Sequence, residues 1–168
     1  MTEIERIVDQ LHRSWAGDAW HGPALSELLE GVDARTAAAR PISGAHSIWE
    51  LVGHITTDYR TVTSRLKEWH GRDPSESENF PAVVDVGEKA WSAAREALER
   101  AHRELEATIS AWPENRLADR VPDKTYSVYV MLHGTIQHGL YHGGQIALLK
   151  KAVISKAGAS AAKPAQTP

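Results

Sequence analysis

The sequence predicts an all-α protein: a four-helix bundle with short extra helical turns between the first and second helices. Three observations carry this expectation. Four long segments place apolar residues at three- and four-residue steps, the period of an amphipathic helix. The links between them are modest, as suits neighbouring helices of one bundle. No stretch shows a strand pattern, and no internal repeat is present.

The first helix spans about Thr2 to Trp15, with Ile4, Ile7, Val8, Leu11 and Trp15 on one face. A broken region follows, in which Ala24 to Glu30 and Ala34 to Ala39 read as short helical turns punctuated by Gly22, Pro23, Gly31 and Pro41. The second helix runs from about His46 to Trp69, opened by a Ser47/Glu50 capping box and stopped at Gly71. Its apolar positions are Ile48, Leu51, Val52, Ile55, Tyr59, Val62, Leu66 and Trp69. The polar linker RDPSESENFP leads to a third helix, about Val86 to Trp112, closed by Pro113. Its seam is Trp91, Ala94, Leu98, Ala101, Leu105, Ile109 and Trp112. The connection ENRLADRVPD precedes the fourth helix, about Ser127 to Val153. Residues 1–153 are expected to form one domain. Residues 154–168, small, polar and proline-bearing, are expected to be a disordered tail.

Composition narrows the function classes. With 168 residues, 42% hydrophobic and 24% charged, the chain can bury a sizeable core. Net charge is −3 and the charges are interspersed, which argues against nucleic acid or a polybasic membrane surface as a partner. Zero cysteines exclude disulfides, thiolate metal sites and a cysteine nucleophile. The charged, amphipathic N-terminus does not suit a signal peptide, and no segment approaches a membrane span. A soluble, cytoplasmic protein is the expectation.

The fourth helix carries the chemistry. Met131, Thr135, His138, His142, Gln145 and Leu149 fall on one face, apolar at its ends and polar in its middle. Burying such groups without partners costs a few kcal/mol each, so something should bond them. Residues four apart differ by only about 40° around the axis, so His138 and His142 can reach one point. His133 points about 140° and 180° away from them and is excluded as a co-ligand. The best third ligand is His54, which borders the apolar stripe of the second helix, with Asp58 one turn on. His46 sits more than two turns from His54, and His12, His70 and His102 read as surface residues. Three neutral imidazoles suit a divalent transition ion with positions left open. Within the same helix Gly139, Gly143 and Gly144 weaken helix propensity by about 1 kcal/mol apiece. Gly139 and Gly143 are expected to admit a neighbouring helix or a substrate close to the backbone.

LHGTIQHGLYHGGQIALLKK together with HSIWELVGHI resembles the DinB-like (YfiT-like) superfamily of metal-dependent four-helix proteins. The likeness extends from WHGPALSELLEGV through ALLKK. It implies three histidines around one divalent ion, commonly zinc or nickel, and the matching positions are His54, His138 and His142. Gly143, Gly144 and Gln145 match the closing motif. Better-characterised relatives use low-molecular-weight thiols: bacillithiol S-transferases and mycothiol-dependent maleylpyruvate isomerases. Relatives are often homodimers, which is expected here too.

The leading expectation is therefore a metal-dependent thiol S-transferase or isomerase acting on a small-molecule substrate, with Asp58 and Gln145 orienting an imidazole or the substrate. Because the chain has no cysteine, the thiol must be a cosubstrate. One alternative is a metal-dependent hydrolase with Asp58 as base. Another is a non-catalytic, metal-stabilised stress-response or binding module, with Trp15, Trp20 and Trp49 lining a hydrophobic pocket. Tyr141, about 100° off the ligand face, is assigned to packing or an interface.

Overall fold

The helix starts are written in capping chemistry. Thr2/Glu5, Ser47/Glu50 and Ser75/Glu78 each form a capping box, in which side chain and backbone satisfy each other's free N–H groups. The Ser127 hydroxyl accepts from the Val130 amide at the start of the last helix. A computed structural model describes the backbone of residues 1–161 and side chains as far as Lys156.

Among the described residues the chain is all-helical. Four long helices are α1 (Glu3–Trp15), α4 (Ile48–Glu68), α6 (Glu88–Ser110) and α7 (Val128–Ala161). Shorter ones are α2 (Leu25–Leu28), α3 (Ala34–Ala38) and α5 (Glu76–Asn79), with a 3₁₀ turn at Glu114–Arg116. α4 packs on α6 and α7, and α1 packs on the same two helices, which closes the bundle. The shared core contains Ile7, Leu11, Leu51, Ile55, Tyr59, Leu98, Leu105, Ile109, Leu132 and Ile146, all buried. α2 and α3 lie between α1 and α4 in sequence, where short helical turns are expected. The indole of Trp91 on α6 donates to the Val32 carbonyl at 2.7 Å and ties their connection to the core.

Four local expectations need correction. The linker after α4 contains α5, announced by its own S-x-x-E sequence. α4 ends at Glu68, within a residue of the expected Trp69, but the stop is not Gly71: it is Trp69 itself, in the left-handed conformation (φ 52°). Its ring stacks on Trp112, and the Arg116 guanidinium lies over both indoles, which offsets the backbone strain. Gly71 serves another purpose: a Cβ there would meet the Pro122 carbonyl oxygen at 1.8 Å. The final helix continues to Ala161, past the Val153 expected as its end, through a run with no proline before Pro164. The remainder of the expected tail, residues 162–168, lies outside the described residues. Lastly, Trp20 is fully exposed, Trp49 packs on Trp91 in the core and Trp15 stacks on His102, so these three indoles do not share a pocket.

Candidate metal centre

α4 and α7 face each other where the last helix turns polar. His138 and His142 stand one turn apart on α7, and His54 approaches them from α4. His138 Nε2 lies 3.0 Å from His54 Nε2 and 2.9 Å from His142 Nε2. The rings are mutually steep, at 76°, 87° and 90°, so nitrogen edges converge instead of faces stacking. Donors sharing one transition ion at about 2.0–2.1 Å lie about 3 Å apart, which is the spacing found here.

The far side of each ring decides what the near side offers. His54 Nδ1 is 2.9 Å from the Asn79 carbonyl, which only accepts, so Nδ1 carries the proton and Nε2 a lone pair. His142 Nδ1 donates in the same way to Gln145 Oε1 at 2.8 Å. His138 Nδ1 is buried without a hydrogen bond but faces the Asp58 carboxylate at 3.4 Å. Asp58 in turn accepts from the Thr135 hydroxyl at 2.6 Å. The lone pairs of His54 and His142 thus point at His138 Nε2. With the His138 proton on Nδ1, toward Asp58, a third lone pair joins them, an arrangement that repels itself unless a cation sits among them. The donor set therefore fits a divalent transition ion.

Burial supports the same protonation state. His54 and His142 are buried, and desolvation lowers the pKa of both, His142 to about 4. The bonds to Asn79 and Gln145 oppose that shift without reversing it. At neutral pH both imidazoles are neutral, the form that ligates a metal.

The structure brings together His54, His138 and His142, and it sets Asp58 and Gln145 beside two of them. His133 stays outside and packs on Tyr129. Tyr141 is exposed, its ring edge-on to His142. Two contributors escape the sequence reasoning. Asn79 supplies the carbonyl that orients His54, and Phe80 stacks between His46 and His54 at 4.1 and 4.2 Å. Both belong to the polar linker after α4, where the capping box at Ser75 is the signal of local order. A further correction concerns His102, expected at the surface but 1% exposed in the core.

The glycines divide by function. A Cβ on Gly139 would come within 3.0 Å of the Tyr59 hydroxyl, so this glycine lets α4 and α7 close up beside the histidines. A Cβ on Gly143 would make only ordinary contact with Leu28, so the close approach expected there is not required, and one on Gly144 would meet nothing within 4 Å. Asp58 and Thr135, with Arg65, Tyr126 and Met131, also help line a cavity of about 250 Å³, whose wall does not include the three histidines.

Fold and site together define an all-α bundle with a three-histidine cluster able to hold a metal ion. Residues 19–146 match the family model of the DinB superfamily, and the chain belongs to that superfamily. Comparison with curated proteins and with solved structures gives no match. No helix among the described residues is long and apolar enough to cross a membrane.

Proposed function

We propose that this protein is a metal-dependent enzyme that transfers or isomerises through a small external thiol. The observation that carries the reading is the convergence of three Nε2 atoms, with each opposite nitrogen facing an oxygen. His54, His138 and His142 would hold the ion; imidazole suits several transition ions, zinc and nickel among them, and these two are what the DinB-like resemblance implies. When bound, the ion supplies positive charge that favours thiolate over thiol at neutral pH.

The chain's own groups supply the rest. Asn79 and Gln145 hold two of the rings in the ligating tautomer, and Asp58 faces the third at 3.4 Å. The cavity beside Asp58 offers Tyr126 and Thr135 hydroxyls and the Val62 and Met131 side chains, room for a small electrophile with polar and apolar parts. With no cysteine in the chain, the nucleophilic sulfur has to arrive from solution.

Hydrolysis is the weaker reading, because Asp58 is already engaged by Thr135 and His138 and is not a free base. Two measurements test the proposal. Protein purified without a histidine tag or nickel column should carry one ion in this site, lost in His138→Ala. Turnover of an electrophile such as a chloronitrobenzene should require both metal and added thiol. Metal-dependent turnover that is unchanged without thiol would replace transfer by hydrolysis.

A further inference from the structure

A second group of donors lies between α1 and α6, away from the residues used above. His12 of α1 and His102 and Glu106 of α6 each bring one ligand atom within 4.8 Å of the others. His12 Nδ1 is 3.4 Å from one Glu106 carboxylate oxygen, and His102 Nε2 is 3.7 Å from the other. His102 and Glu106 are one helical turn apart and share a face, and α1 supplies His12 from across the interface.

The informative member is His102. It is 1% exposed, yet neither ring nitrogen has a hydrogen-bond partner. Buried polar atoms are almost always satisfied, and a leucine at this place would avoid the cost altogether. The ring is fixed by its neighbours: Trp15 stacks on it at 4.8 Å and 18°, and Tyr59 packs at 5.8 Å. Desolvation keeps it neutral, so a lone pair is available for a ligand. Around the group, Arg13 is paired with Asp9 and Arg103 with Glu99, which leaves the Glu106 charge for a cation.

The geometry points to a second divalent-cation site, made by His12 Nδ1, His102 Nε2 and a Glu106 oxygen, that pins α1 to α6. Two imidazoles and a carboxylate suit zinc or a similar borderline transition ion. His12 is exposed and Glu106 partly so, which gives the ion a path from solvent and room for water to complete its shell. His102 supplies the buried end, and its Nε2 gains the partner it lacks. The two histidine–carboxylate separations, 3.4 and 3.7 Å, are within 1 Å of the roughly 3 Å expected of ligands on one ion. All three donors lie within 4.8 Å of one another, a gap that rotation of His12 and Glu106 can close.

Zinc titration of the chelator-treated, tag-free full chain tests this, followed by calorimetry. The wild type should take up two equivalents. His12→Ala and Glu106→Gln, both at accessible positions, should each take up one, with unchanged circular dichroism. A chain carrying His54→Ala, His138→Ala and His142→Ala should keep the remaining equivalent, so the two sites fail independently. Copper(II) should quench Trp15 emission in that chain, and Trp15→Phe should remove the quenching. A single equivalent in the wild type that survives His12→Ala would overturn the site. So would two equivalents indifferent to both His12→Ala and Glu106→Gln.

Discussion

The two histidine clusters of this bundle differ in how they are supported. Between α4 and α7 every imidazole has an oxygen at its back: the Asn79 carbonyl, the Asp58 carboxylate or the Gln145 amide. Between α1 and α6, His102 has only aromatic packing, with no partner for either nitrogen. The first arrangement sets the tautomer of His54 and His142 and places a carboxylate behind His138; the second fixes a ring plane and leaves the proton unassigned. Preorganisation is what separates them, and it should appear as a difference in affinity.

The largest effect should come from the centre of the supported cluster. His138 Nε2 is the nitrogen within 3.0 Å of both others, so His138→Ala should reduce zinc affinity there by at least about a thousandfold. Retention of full affinity in a competition titration would mean that the three nitrogens do not act as one site.

Acid should weaken both clusters of the metal-free protein, with a calculable sign. His102 and His142 titrate near 4 in the folded chain against 6.5 for an ordinary imidazole. Between those values the unfolded chain binds more protons than the folded one, so unfolding free energy rises with pH. The stabilisation is complete above pH 6.5 and is lost as pH falls through the window to 4. For His102 the upper bound is about 3 kcal/mol. Urea titrations at pH 7 and pH 4.5 should show the loss, and His102→Leu should flatten the slope.

Removing support instead of a ligand gives a smaller effect and sharpens the contrast. Asp58→Asn or Gln145→Ala should weaken zinc binding by about ten- to a hundredfold while leaving the stoichiometry intact. A calorimetric titration showing unchanged affinity in both variants would show that these contacts do not orient the rings.

Two glycines of α7 should change stability in opposite senses. Tyr59 packs its ring on His102 and its hydroxyl against Gly139. In Gly139→Ala the new methyl presses on a fully buried ring, and the expected crowding cost of about 1–3 kcal/mol exceeds the propensity gain. Gly144→Ala, with open space around it, should instead stabilise the chain by up to about 1 kcal/mol. Thermal melts of the pair should move in opposite directions.

Much of the fold and the five site residues named on α4 and α7 are legible in the chain because the signals are local, while Asn79 and Phe80 are not. The apolar period of three and four sets the long helices, and the Ser47/Glu50 pair sets the start of α4 within a residue. The one-turn spacing of His138 and His142 is enough to put both on the seam of the last helix. The short-range signal fails where one residue type serves two environments. Trp69 ends α4 in a left-handed turn held by Trp112 and Arg116, contacts distant in sequence. His102 lies next to Ala101 of the α6 seam, and no spacing rule says on which side of the burial boundary such a residue falls.

Periodicity, capping pairs and the absence of cysteine thus come from the sequence by itself: the four long helices, a histidine pair on one face, and a chain with no thiol of its own. Tertiary structure alone decides that His54 meets that pair nitrogen to nitrogen, that a carbonyl from a short linker helix aims it, and that His102 sits unpartnered in the core. The reason is range. Backbone hydrogen bonding repeats within a few residues and can be read along a chain, whereas the direction of a ring depends on what packs behind it from elsewhere.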